Sequence, residues 1–174
     1  MNLRRAAAAS LLVLAGCAGF DTGYSFQPAP AVLPLRAGDA EVGRIEATVE
    51  GALEGNGAEP ATLHVKMRVE RRGPVRVAAP PDKMFLFTAD GRWLGVHTVE
   101  PPDPKIPAEG GAATYVVAFA VLRPADLDDL RLSHLDLYVE AEVGDERQVH
   151  HLRFERELRD HPWWNPWGPG PGPE

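Results

Sequence analysis

Six histidines, a few serines, one cysteine and a short run of aspartates are the side chains of this 174-residue chain that could do nucleophilic, acid–base or metal chemistry. A serine nucleophile must converge with its base at hydrogen-bond reach. Ser133 and His134 are sequence neighbours, and neighbours on a strand point to opposite faces. Ser25 lies in a Pro/Gly-rich stretch, and no G-x-S-x-G elbow occurs. His150 and His151 also face opposite sides of their strand. His64 and His151 both fall on wet strand faces and would form a surface pair with Glu70 or Glu155 if their strands were neighbours. No H-x-H or H-E-x-x-H spacing supports a metal site there. Asp126, Asp128 and Asp129 offer oxygen ligands of the kind calcium takes, but without the D-x-D-x-D-G pattern. They read as a helix start and a solvated loop. Arg71, Arg72 and Arg76 make a short basic patch with no Gly-rich phosphate loop beside it. No residue is assigned to catalysis, to a cofactor or to a metal.

Cys17 is different, because its chemistry follows from what precedes it. Arg4 and Arg5 form a positive start, and Ala6 to Leu14 is a run of small and apolar residues. That run is too short to cross a bilayer, which takes about 20 apolar residues, and has the length of a secretory signal core. It ends in Leu14-Ala15-Gly16-Cys17, which resembles the bacterial lipobox. The resemblance implies a diacylglycerol on the Cys17 thiol, cleavage ahead of it and acylation of the new N-terminus. Two or three acyl chains anchor stably where one does not. Ala18, in place of Asp, implies sorting to the outer membrane under the enteric rule.

Composition narrows the field further. The chain carries −7 at neutral pH, and losing Arg4 and Arg5 with residues 1–16 would take that to −9. Such a balance argues against nucleic acid as a partner and means that the lipid, not the surface of the domain, would hold the protein at an anionic membrane. A single Cys excludes an internal disulfide and a Cys-cluster zinc site.

The elements that would position any site are strands. Ile45, Ala47 and Val49 alternate with polar residues, as do Leu63, Val65, Met67 and Val69. Segments 83–88 and 92–99 flank Asp90-Gly91, a hairpin signal. Residues 112–122 are nearly all apolar and read as a central strand buried on both sides. Leu135 to Val143 alternates, Gly144-Asp145 turns the chain, and 148–158 returns.

About seven strands without a long helix predict an all-β antiparallel sandwich, with a closed barrel as the alternative. The pattern is similar to the immunoglobulin-like sandwiches of many bacterial envelope lipoproteins, without their Cys–Trp–Cys signature. The organisation expected is a signal peptide at 1–16, the lipidated Cys17 with a tether at 17–42, the sandwich at 43–160 and a tail at 161–174. That tail holds three of the four Trp and five Pro, which exclude helix and central strand. It suits a polyproline ligand, a membrane-interface anchor, a cover for the sandwich or an unfolded end. The reading is a non-enzymatic binding, structural or assembly lipoprotein of the cell envelope. It is held to the membrane through Cys17, with an envelope protein as partner. The alternative is a metal- or small-ligand-binding periplasmic lipoprotein that uses surface histidines.

Overall fold

A computed structural model describes residues 24–53, 61–107, 110–121 and 133–158. Cys17, the signal, the aspartates at 126–129 and the tail at 161–174 lie outside the described residues.

The period-two segments form strands, and their apolar positions meet in one core. In chain order these are β1 (Tyr24–Gln27), β2 (Ala31–Ala37), β3 (Ala40–Leu53), β4 (Ala61–Arg71) and β5 (Val77–Ala78). A 3-10 turn at Pro81–Lys83 leads into β6 (Met84–Thr88), β7 (Trp93–Leu94) and β8 (Val96–Glu100). The last three are β9 (Gly111–Val121), β10 (His134–Val143) and β11 (Glu146–Leu158). Sheet A has the order β1-β11-β10-β6-β7, with β5 also paired to β10, and sheet B the order β2-β3-β4-β9-β8. All pairings are antiparallel. Each sheet keeps two separate edges, so the molecule is a sandwich and not a closed barrel.

Alternation decides which side of each strand is dry. Ile45, Val65, Met67 and Phe119 from sheet B pack with Leu86, Leu135, Leu137 and Phe154 from sheet A, all fully buried. Tyr115 brings a phenol into this layer; its Oη donates to the Ala79 carbonyl at 2.7 Å, and burial pushes its pKa up. Gly43 is required where β3 crosses close to β4, since a Cβ there would lie 2.4 Å from the Glu70 carbonyl oxygen.

Among the described residues eleven strands replace the expected seven or so, for identifiable reasons. The segment read as a tether contributes β1 and β2, which pair with β11 and β3. Pro34 is tolerated because β2 is an edge strand. Among the described residues the sandwich therefore includes β1 and β2, ahead of the expected start at Gly43. Segment 92–99 is two strands: β7 pairs with β6 in sheet A, and after Gly95 the chain passes to sheet B as β8. The Asp90-Gly91 hairpin forms, with Gly91 at φ +76° and the Thr88 amide donating to the Arg92 carbonyl at 3.0 Å. In β9, double-sided burial holds only at Val117, Ala118 and Phe119, whereas Ala112 and Thr114 are exposed.

Candidate functional site

The outer face of sheet A is built from the wet positions of three neighbouring strands. Register places Asp136 of β10 between Phe87 of β6 and Arg153 of β11, and Tyr138 between Phe85 and His151. Tyr138 stacks on His151 with ring centroids 4.7 Å apart and planes 19° apart, and meets Phe87 edge-on at 5.7 Å. The result is a groove of about 720 Å³ whose lining includes Phe85, Phe87, Tyr138, Val149, Asp136 and Arg153. Phe85, Tyr138 and Val149 are 40%, 38% and 70% exposed, although a single polar residue at each position would have avoided this apolar surface.

Asp136 organises the polar half of the groove. One carboxylate oxygen takes His151 Nε2 at 2.7 Å and Arg153 Nε at 3.2 Å; the other lies 3.4 Å from His134 Nε2. Arg153 Nη2 is also 2.5 Å from His134 Nε2. A guanidinium has only donors, so that nitrogen accepts and the ring proton belongs on Nδ1. Nδ1 faces Ser133 Oγ at 3.4 Å. The Ser133–His134–Asp136 sequence therefore has its hydrogen bond directed from imidazole to hydroxyl, the reverse of what a serine nucleophile needs from its base. Asp136 is an anchor that fixes the rims of the groove.

The histidine pair considered from sequence does not assemble. His64 is on β4 in sheet B and His151 on β11 in sheet A, so they lie on opposite outer faces with the core between them. The carboxylates imagined with them divide likewise: Glu70 belongs to β4 and Glu155 to β11. His64 instead pairs with Thr62 Oγ1 at 3.0 Å, and burial lowers its pKa against the opposing pull of Glu50. Among the described residues no group of three or more His, Cys, Asp or Glu side chains is arranged to hold a metal ion. The arginine patch is neutralised from within. Arg72 binds Glu41 at 2.6 Å and Glu70 at 3.0 Å, Arg76 binds Glu142 at 3.2 Å, and Arg71 donates to the Gly73 and Pro74 carbonyls.

Sequence reasoning missed the groove because each of its residues looked like an ordinary wet position. The available signal was Phe85 and Phe87, two aromatic rings on the solvent side of one alternating strand. Compared with protein-family models and with curated proteins, the chain matches none.

Proposed function

We propose that this chain is a lipid-anchored, non-enzymatic lipoprotein of a bacterial cell envelope, sorted to the outer membrane and facing the periplasm, with the sandwich as its binding or assembly module. One observation carries the anchor: the chain's single Cys stands directly behind a signal core in the order Leu14-Ala15-Gly16-Cys17. The module's recognition surface is the aromatic groove of sheet A, since exposed rings rimmed by polar groups suit a docked partner. Its polar centre, Asp136, is occupied in holding Arg153 and His151 and positions the walls.

The anchor is tested by fractionation of cells carrying Cys17→Ser. We expect the protein to leave the membrane fraction or to accumulate as an uncleaved precursor. A cleaved form that stays with the membrane would overturn the lipid anchor.

A further inference from the structure

We propose that the groove on the outer face of sheet A is the docking site for this chain's own residues 161–174. This rests on reading the groove as the recognition surface of the module, and is independent of the lipid anchor.

Three observations converge on that occupant. The groove presents Phe85 and Tyr138, 40% and 38% exposed, with the half-buried Phe87 beside them. Proline-rich segments hold an extended, preformed shape that docks on aromatic-lined grooves at low entropic cost. Residues 161–174 supply that chemistry, with Trp163, Trp164 and Trp167 set among Pro162, Pro166 and Pro169. They carry no charged side chain between His161 and Glu174, so nothing in that stretch is repelled by Asp136 or Arg153.

The direction and length of the chain fit as well. β11 runs from Glu146 to Leu158, towards the end of sheet A where His134 opens β10 and the Thr88–Arg92 turn closes β6. His134, Ala89 and Gly91 line the groove at that same end, so β11 delivers the chain to its mouth. In the proposed docking, residues 159–162 form the reversal, and Trp163, Trp164 and Trp167 then enter the groove from its mouth at ~3.1 Å per residue for a polyproline-like path. Attachment in the same chain gives an effective concentration on the order of millimolar, so modest contacts hold the segment in place.

The test uses the full chain mixed with lipid nanodiscs, labelled with 5-fluorotryptophan, with the Trp93 signal assigned through Trp93→Phe. Phe85→Ser combined with Phe87→Ser should move the signals of Trp163, Trp164 and Trp167 towards those of a free peptide of residues 161–174. Loss of two aromatic contacts lowers the docked-to-free ratio by about tenfold. Val149→Lys, which alters the rim at an exposed position, should move the same signals, while Val32→Ser on β2 should not. Unchanged circular dichroism shows that the sandwich is intact. The proposal is overturned if the three signals already match the free peptide, or ignore both groove variants. It is equally overturned if a paramagnetic lipid broadens them, which would make the bilayer the occupant, or if they depend on protein concentration, which would make it a second copy. Any of these would leave the fractionation result for Cys17→Ser untouched.

Discussion

The two outer faces of the sandwich rest on equivalent cores and use their wet positions in opposite ways. On sheet B, Arg44, Glu46, Arg68 and Glu70 interlock across β3 and β4 at 2.8–3.2 Å, and Arg72 extends the ladder to Glu41. Exposed pairs of this kind add little stability each, but they keep a face hydrated and costly to desolvate. Sheet A sets rings among its ions: Asp136 holds His151 and Arg153 beside Phe87 and Tyr138, with the Arg153–Glu155 and Arg147–Glu140 pairs further along the same face. Burying those rings releases water at small electrostatic cost. In the docking proposed above, one face serves solvent and the other the docked segment, and the difference between them lies in outward residues over a shared core.

The comparison can be broken most severely from beneath. Phe154 under the groove and Phe119 in the inner layer of sheet B are both fully buried. We expect Phe154→Ala and Phe119→Ala each to cost about 3–5 kcal/mol in chemical denaturation. A much smaller loss for one of them would show that the two faces do not share an equivalent core. Next in size is the groove itself. Tyr138→Ala removes one stacked and one edge-on contact, and should cost about 0.5–1.5 kcal/mol by thermal or urea unfolding.

The smallest effect concerns the ladder, and pH reveals it. The hydrogen bond from Arg72, with the charge of Arg44, holds the Glu70 carboxyl below its ordinary value of 4.5, against partial desolvation. A depressed carboxylate stabilises the fold above the unfolded value and loses that contribution as pH falls through the folded one. Glu70→Gln should therefore melt earlier than the unaltered chain at neutral pH, with the gap closing below pH 4.5. Added salt should narrow it too. A gap that persists in strong acid would mean that Glu70 acts through packing and not through its charge.

What could be read from sequence is shown by two turns of the same composition. Gly144-Asp145 and Gly38-Asp39 both join adjacent antiparallel strands, with Gly144 at φ +61° and Gly38 at φ +58°. Glycine at the first position supplies the positive φ that a two-residue turn of this type needs. The first was legible because clean alternation flanks it. The second was hidden in a stretch read as a tether, because Pro28, Pro30 and Pro34 outweighed the alternation of Leu33 and Leu35. Only the edge position of β2 makes Pro34 compatible with a sheet, and edge positions are tertiary facts. The core residues of β3, β4, β10 and β11 were readable because period two is local. The groove was not, since the row of Asp136 and Arg153 is completed by Phe87 of β6, which register brings to β10 from a distant part of the chain.

The arrangement of the first two strands also has a mechanical consequence. β1 is hydrogen-bonded into sheet A and β2 into sheet B, with only residues 28–30 between them. A pull along β1 from the residues ahead of Tyr24 loads its four register pairs with β11 together, in shear, instead of opening them one by one. Force that survives this first clasp reaches the other sheet through β2. A domain dragged by its leading end would thus distribute the load over both of its layers before either begins to yield.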